Sequence, residues 1–171
     1  PSRFMLVAAA NPCRCGHMAD ASRACARAPG CGSDYLGRIS GPLLDRFDLR
    51  VEVPPVSFQD LDAAPGGEAS SAVAERVARA RGVQARRFEG AEGVRTNADA
   101  EGRLLEEVAA PCAEGRALLG RVAERIGLSA RGYHRVLRVA RTVADLDGSA
   151  EVRRPHVAEA VGYRLALSPE A

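Results

Sequence analysis

The sequence contains no lysine, so all 24 of its basic residues are arginines. This absence excludes a P-loop, because a P-loop needs a lysine that reaches the β- and γ-phosphates of a nucleotide. It also excludes Schiff-base catalysis and a lysine acting as general base. A GC-rich genome also favours arginine, alanine and glycine, so the bias by itself identifies no ligand.

Long hydrophobic runs and familiar hydrolytic motifs are missing as well. No stretch approaches the roughly 20 apolar residues of a membrane-spanning helix, and no signal peptide opens the chain. No Ser/His/Asp set or paired-carboxylate site stands out, and the neighbours of His134 and His156 favour structural roles. A net charge of +2 does not demand nucleic acid. We therefore expect a cytoplasmic protein without a membrane partner.

The first part of the chain contains two strand-like segments. Residues 4–10 (FMLVAAA) form an apolar run typical of a strand buried on both faces of a parallel sheet, and Asn11-Pro12 ends it. Residues 49–53 alternate apolar and polar side chains, as a half-buried strand does. Because two strands alone do not make a stable sheet, we expect this region to complete a larger α/β domain whose remainder precedes residue 1.

The second part of the chain is predicted to be helical. Ser70 or Ser71 is a candidate N-cap for the first helix and Ser129 for a later one. Gly127 and Gly148 stand where a helix C-terminus favours a left-handed residue. The predicted helices are 70–88, 98–109, 113–126, 130–146 and 155–166.

Four cysteines fall close together in a loop without periodicity. Cys13, Cys15, Cys25 and Cys31 can supply the four thiolates of a tetrahedral zinc site. Their spacing is not that of a zinc finger, so reduced unligated thiols remain an alternative. A disulfide pair is a further alternative, disfavoured because nothing marks the chain as secreted. Cys112 stands apart, and we expect it in the helical core.

Arginines recur on two of the predicted helices. Arg131, Arg135 and Arg138 share one face of the helix at 130–146, opposite apolar residues that should pack into a bundle. That face is either solvated or turned towards a phosphate, which a helix N-terminus also favours. The arginines of the first helix are more typical of a solvated surface than of a DNA contact: Arg76, Arg79, Arg81, Arg86 and Arg87.

Three strings narrow the interpretation: FMLVAAANPCRCG, ISGPLLDRFDLRVEVPPV and LSARGYHRVLRVARTVADLDG. Together they closely resemble the magnesium-chelatase-like AAA+ ATPases of the ComM/YifB type, in their C-terminal portion. The resemblance implies that residues 1–56 end an AAA+ nucleotide-binding core, with two strands and a Cys-rich insertion. Residues 57–69 would be a linker and residues 70–171 an all-α helical lid, so the chain would be mostly helical. The Walker A and Walker B segments would precede residue 1.

The resemblance also implies three roles in ATP hydrolysis. Asn11 matches sensor 1, which lies beside the γ-phosphate, and an amide there both donates and accepts hydrogen bonds. Arg46 matches the arginine finger, which reaches the nucleotide of the neighbouring subunit, and Arg131 matches sensor 2, the lid arginine at the γ-phosphate. From the residues alone, Asn11 is also explained as a strand stop, and Arg46 as a partner of Asp45 or Asp48.

The resemblance implies further that the whole protein uses ATP and Mg²⁺, assembles into a ring, expected to be a hexamer, and acts on DNA as a branch-migration helicase in natural transformation. This chain alone would not hydrolyse ATP. One alternative is the magnesium-chelatase ATPase subunit of porphyrin metallation, and another is a zinc-held nucleic-acid-binding module without motor activity. The family's second C-x-C pair is broken here after Cys25, which puts zinc in doubt or leaves the fourth ligand to Cys31 or His17.

Overall fold

The computed structural model describes residues 4–17, 22–54, 56, 58–62 and 66–165. Over these residues the chain is mostly helical, as predicted, with eight α-helices and one short 3-10 helix. The β pairing recorded among them is an isolated parallel bridge between Pro111 and Val152. The chain divides into two compact units, Pro1–Arg46 and Phe47–Ala171. None of the described helices is long and apolar enough to cross a membrane.

The first unit contains two short helices, α1 (Gly30–Leu36) and α2 (Gly41–Leu44). Among its described residues, the buried ones are Cys13, Cys31 and Gly32. The apolar run at residues 4–10 is exposed along its whole length. The part of this unit that the structure describes therefore buries thiols rather than an apolar core.

The two predicted strands do not form in this structure: residues 4–10 and 49–53 are irregular and belong to no sheet. A strand needs neighbouring strands to pair with its backbone N–H and C=O groups. The described segments supply no such neighbour, and Arg50 instead donates its backbone N–H to the carbonyl of Tyr163 at 3.0 Å. The two-strand remnant is therefore not shown here, because the sequence pattern of each segment is local, whereas the hydrogen-bond partners that complete a strand are non-local.

The second unit contains the remaining helices. They are α3 (Phe58–Asp62), α4 (Ser70–Arg87), a 3-10 helix (Asn97–Asp99), α5 (Gly102–Val108), α6 (Ala113–Ile126), α7 (Ala130–Leu146) and α8 (Arg154–Leu165). The bounds of α6 and α7 are those predicted. The helix predicted at 98–109 is interrupted, because Ala100 and Glu101 are extended between the 3-10 helix and α5.

The apolar core of the second unit lies where α7 and α6 pack against α8 and where α4 packs against α7. Leu105, Leu119 and Val157 are almost fully buried there, one each from α5, α6 and α8. The apolar face predicted for α7 is confirmed, since Leu137, Ala140 and Ala144 are buried and Tyr133 packs against the cluster. This packing fixes α7, which carries Arg131.

Two local signals set the start of α7. Gly127 has a left-handed backbone (φ 60°, ψ 44°) and ends α6, which a glycine does at little cost. Two residues later the Ser129 hydroxyl accepts the backbone N–H of Gly132 at 3.0 Å and caps α7. Both predictions are confirmed. Ser70 and Ser71 do not cap α4, whose N-cap residue is Ala69.

Candidate nucleotide and metal sites

The cysteine loop of the first unit gathers its thiols. The sulfur atoms of Cys13, Cys15 and Cys31 all lie within 4.8 Å of one another, and those of Cys13 and Cys15 are 3.2 Å apart. The Cys25 thiol interacts by hydrogen bonding with those of Cys15 and Cys31. All five cysteines of the chain, Cys112 included, are free thiols. Three of the four cysteines that the sequence singled out are therefore gathered as possible metal ligands, and Cys25 interacts with this group.

Hydrogen bonds polarise this cluster. Hydrogen bonds favour the thiolate at Cys15 and lower its pKa to about 6. The largest contribution comes from the backbone N–H of His17, and smaller ones come from the Cys13 thiol and from Cys25. The hydrogen bond with Cys25, followed by burial, raises the pKa of Cys31 to about 12. A bound divalent cation would favour the thiolate at every position, since metal binding releases the thiol protons.

The donor set fits zinc. Sulfur ligands at about 2.3 Å from a tetrahedral zinc ion stand about 3.8 Å from one another. The three sulfur atoms of Cys13, Cys15 and Cys31 all lie within 4.8 Å of one another, which is compatible with that spacing. Gly16, with φ +80°, turns the chain after Cys15 and donates its N–H to the Cys13 carbonyl at 3.1 Å. Such a tight turn brings C-x-C thiols to one side. The cluster can hold a metal ion through Cys13, Cys15 and Cys31.

Asn11 and Arg46 both lie in the first unit, and both side chains are exposed. Arg46 follows α2 and donates from Nη1 to the backbone carbonyl of Pro42 at 3.1 Å. Asp48, one of the two partners that the sequence offered for Arg46, instead pairs with Arg135 of α7. The guanidinium of Arg46 therefore remains open to solvent beside its own helix.

The arginines of α7 fall into two groups. Arg135 pairs with Asp48, and Arg138 donates to the Ala100 carbonyl at 2.9 Å. Arg141 is buried and donates to the Ser149 carbonyl at 2.6 Å. Arg131, in the first turn, is exposed and has no hydrogen-bond or ion-pair partner among the residues that the structure describes. The arginines of α7 therefore differ: Arg135, Arg138 and Arg141 are bound within the protein, whereas Arg131 remains exposed and able to bind an anion.

The chain after Arg46 is fastened to the helices that surround Arg131. Arg164 of α8 donates to the Phe47 carbonyl at 2.9 Å and lies under the first turn of α7. Gly132 makes room for this side chain, because a Cβ there would stand 3.1 Å from Nη2 of Arg164 and 2.8 Å from Cδ1 of Leu128. With the Asp48–Arg135 pair, these contacts hold residues 47–50 against α7 and α8.

A buried polar network surrounds Asp145, and the sequence did not predict it. Its carboxylate accepts from Arg87 at 2.5 and 2.7 Å, from Asn97 at 2.8 Å and from Arg141 at 3.1 Å. Burial alone would raise the pKa of Asp145, but the hydrogen bonds from Arg87 and Asn97 and the charge of Arg141 hold it below its usual value. The available signal was the i,i+4 spacing of Arg141 and Asp145 on the apolar side of α7.

Histidine and the remaining cysteine have structural roles here. His156 in the first turn of α8 accepts the backbone N–H of Arg153 at Nδ1 (3.0 Å), and its Nε2 lies 3.1 Å from the Asp147 carboxylate. Because Nδ1 is an acceptor, Nε2 carries the proton and donates a hydrogen bond to the Asp147 carboxylate. Cys112 is half-buried and is the N-cap residue of α6, where its sulfur accepts from Gly115, so the core position expected for it is wrong.

Two family models match the chain in sequence order. Residues 1–61 match magnesium chelatase, subunit ChlI, and residues 67–164 match magnesium chelatase, subunit ChlI C-terminal. Together they cover both units described above.

Individual relatives align with nearly the whole chain. It is 39% identical over 165 residues to the competence protein ComM of Haemophilus influenzae. The aligned region covers 96% of this chain and 31% of that protein. It is 39% identical over 166 residues to the uncharacterized protein YifB of Escherichia coli strain K12, with shares of 96% and 31%. For an uncharacterized protein of Mycobacterium tuberculosis strain H37Rv, the identity is 42% over 164 residues, with shares of 96% and 32%.

The chain spans about a third of the length of the curated relatives it matches. Both family matches follow the order of the two units, and the relatives agree along almost all of the chain. The chain belongs to the magnesium chelatase ChlI family, as a C-terminal portion of the ComM/YifB type.

Proposed function

We propose that this chain is the sensor, arginine-finger and lid portion of a cytoplasmic AAA+ ATPase that hydrolyses ATP as a hexameric ring and acts on DNA as a branch-migration helicase during competence. The similarity to a competence protein over 96% of the chain supports this role. The observation that carries it is the open guanidinium of Arg131, at the start of a helix whose other arginines are engaged. An exposed cation at a helix N-terminus is suited to a phosphate.

In this proposal Asn11, Arg46 and Arg131 supply part of the ATP sites, and other segments of the full-length protein supply the rest. Bound ATP with Mg²⁺ supplies the γ-phosphoryl group that water removes. Arg131 binds the γ-phosphate from the lid, and the Asn11 amide orients the water, since it both accepts and donates. Arg46 forks onto phosphate oxygens in the neighbouring subunit and stabilises the charge that develops there.

The irregular segments at residues 4–10 and 49–53 belong to the same proposal. Their apolar side chains are strongly exposed, Val7 and Val53 at 82% each. Exposed apolar surface of this kind marks an interaction site, and strands of an AAA+ sheet would cover it. In the complete protein these segments become the two strands of the core remnant.

The cysteine cluster is proposed to hold a structural zinc ion through Cys13, Cys15, Cys25 and Cys31. The gathered sulfur atoms support this role, as does the small number of buried residues in the described part of the first unit. Such a small unit usually needs a metal, a disulfide or a partner surface to stay folded.

The test of the motor proposal is Arg46→Ala in a full-length protein that contains this chain. ATP hydrolysis by the assembled ring should fall by about 10³- to 10⁵-fold, the range that arginine fingers supply in related phosphoryl transfers. Nucleotide binding should stay close to that of the unaltered protein, because the finger acts in the neighbouring site. Arg38→Ala, an exposed arginine of the same unit, is the matched control. Normal hydrolysis by the Arg46→Ala ring would refute the finger assignment.

The family name favours a second candidate, the ATPase subunit that drives Mg²⁺ insertion into a porphyrin. The two candidates share the ATP chemistry and differ in what the ring acts on. Full-length protein that drives strand exchange on branched DNA, and does not stimulate porphyrin metallation, supports the first. The reverse pattern supports the second.

A further inference from the structure

An open groove of about 390 Å³ runs between α4 and the C-terminal end of α7. Three arginines of α4 line it: Arg76, Arg79 and Arg86. Its other lining residues are Gly82 and Val83 of α4, and Asp145, Leu146 and Gly148. None of the residues proposed to bind ATP or zinc lines this groove.

The groove is electropositive. Asp145 is the one acid among the described residues that line it, and its side chain is fully buried and bound to Arg87, Arg141 and Asn97. It therefore offers no free carboxylate to the groove. Arg79 and Arg86 are exposed, and neither has an ion-pair partner within the described part of the chain. Two uncompensated guanidinium groups thus face the opening, with Arg76 at one end.

The arginines form a row. At 100° and 1.5 Å per residue, Arg76, Arg79 and Arg86 lie within about 80° of one another on α4 and span about 15 Å along its axis. Phosphates of one strand of duplex DNA follow each other about every 3.4 Å along the axis, so the row can meet several successive phosphates. A shallow row suits a continuous polyanion better than a single phosphate group, for which convergent donors are needed.

We propose that this groove binds the phosphodiester backbone of nucleic acid and is the DNA contact of the helical domain. The biological setting rests on the proposed role on DNA, but the contact itself requires neither ATP nor a ring. Val83 and Leu146 supply apolar surface beside the arginines, and Arg guanidinium groups hydrogen-bond phosphate oxygens in a forked geometry. The contact carries no base readout, so binding is independent of sequence.

Glu68 restrains this surface. Its carboxylate holds Arg76 by two hydrogen bonds of 2.8 Å each, at the end of the row. The pair is solvent-exposed, and such pairs are weak. Removal of the Glu68 charge therefore frees Arg76 for a phosphate and takes a repulsive charge away from the strand.

The experiment measures binding of the 171-residue chain to fluorescent DNA of random sequence, by anisotropy between about 50 and 200 mM salt. The double substitution Arg79→Gln/Arg86→Gln should weaken binding at least tenfold. It should also reduce the slope of log K against log salt by about 2, because each phosphate that is no longer neutralised lowers the slope by close to one unit. Glu68→Gln should strengthen binding several-fold.

The matched control is Arg121→Gln/Arg125→Gln, which removes the same charge from exposed positions of α6. Circular dichroism of each variant checks that the helices persist. Equal losses of affinity in the α4 and α6 variants would mean that net charge alone drives binding and would overturn the proposal. Unchanged affinity in the α4 variant would overturn it as well.

Two further measurements distinguish nucleic acid from small anions, and the α4 groove from the cysteine loop. Displacement of DNA by inorganic phosphate or ATP, at concentrations too low to act through ionic strength, would identify a small-anion site and overturn the nucleic-acid assignment. Loss of binding in Cys13→Ser with no effect of the α4 variant would move the interaction with DNA to the cysteine loop, as a zinc-held module requires. The Arg46→Ala hydrolysis assay reports on the motor proposal independently of all these arms.

Discussion

The two units bury different chemistry. Over its described residues the first unit buries Cys13, Cys31 and Gly32, whereas the second buries an apolar cluster in which Leu119 and Val157 are fully enclosed. Burial of apolar surface stabilises a fold by about 25 cal/mol per Å², so the second unit gains its stability from packing. The described residues of the first unit bury thiols in place of an apolar cluster. The second unit therefore packs on its own side chains, whereas the first buries groups that can ligate a metal ion.

The largest effect expected from this difference follows zinc removal. Zinc should bind at about one ion per chain, and a chelator should unfold the first unit while the helices of the second persist, because structural zinc contributes on the order of 10 kcal/mol to such sites. Cys13→Ser should abolish tight zinc binding, whereas Cys112→Ser, outside the cluster, should retain it. Metal analysis and amide NMR spectra of the loaded and stripped chain measure both. Equal zinc binding by the two variants would contradict the proposal that the cysteine cluster holds the zinc ion.

The next effect strikes the second unit alone. Asp145→Asn should lower the free energy of unfolding by about 3–5 kcal/mol, because it leaves Arg87 and Arg141 facing each other without a buried counter-charge. Glu107→Gln, at the exposed partner of Arg103, should cost less than about 1 kcal/mol. Denaturant unfolding monitored by helical circular dichroism measures both. A loss at Asp145 no larger than that at Glu107 would show that the network contributes little.

The same carboxylate predicts an acid limit for the second unit. The pKa of Asp145 is lower in the folded state than in the unfolded one, where it is about 3.9. Its stabilising contribution is therefore complete well above pH 4 and is lost as the pH falls through the folded pKa. Acid titration should show this loss in the unaltered chain and a shallower pH dependence below pH 4 in Asp145→Asn. Parallel titration curves for the two proteins would contradict the assignment.

The smallest effect concerns a single cap. Ser129→Ala should lower the free energy of unfolding of the second unit by about 1 kcal/mol, because the Gly132 N–H loses its acceptor. Ser71→Ala is the control, since that serine lies in the first turn of α4 and α4 has no side-chain cap. The thermal and denaturant midpoints should therefore be lower for Ser129→Ala than for Ser71→Ala. A loss in Ser71→Ala as large as in Ser129→Ala would show that the cap is not the cause.

Local chemistry explains what the sequence predicted well. The bounds of α6 and α7 follow from the apolar period of each helix and from Gly127 and Ser129, which act within a few residues of themselves. The gathering of the cysteines was likewise implicit in their short separation. Arg46, Asn11 and Arg131 stay predictions, drawn from resemblance rather than from geometry.

What the sequence did not predict depends on distant partners. Asp145 meets Arg87 across 58 positions, and Arg164 meets Phe47 across 117. No periodicity marks such pairs, and a buried arginine looks the same in sequence as a solvated one. The strands predicted at residues 4–10 and 49–53 are not shown for the same reason, because a strand needs a neighbouring strand to pair with.

The carboxylate of Asp145 ties together three elements that are separate in sequence: α4 through Arg87, the 3-10 turn through Asn97, and α7 itself. If α4 alone detached, Asp145 would lose both hydrogen bonds from Arg87 and the backbone N–H of Asn97 would lose its Gln84 acceptor, so we expect the three elements to share one opening transition. Their backbone hydrogens should therefore exchange with deuterated solvent at a common rate, as a single foldon. We accordingly expect α4, the 3-10 helix and α7 to move together as one rigid piece.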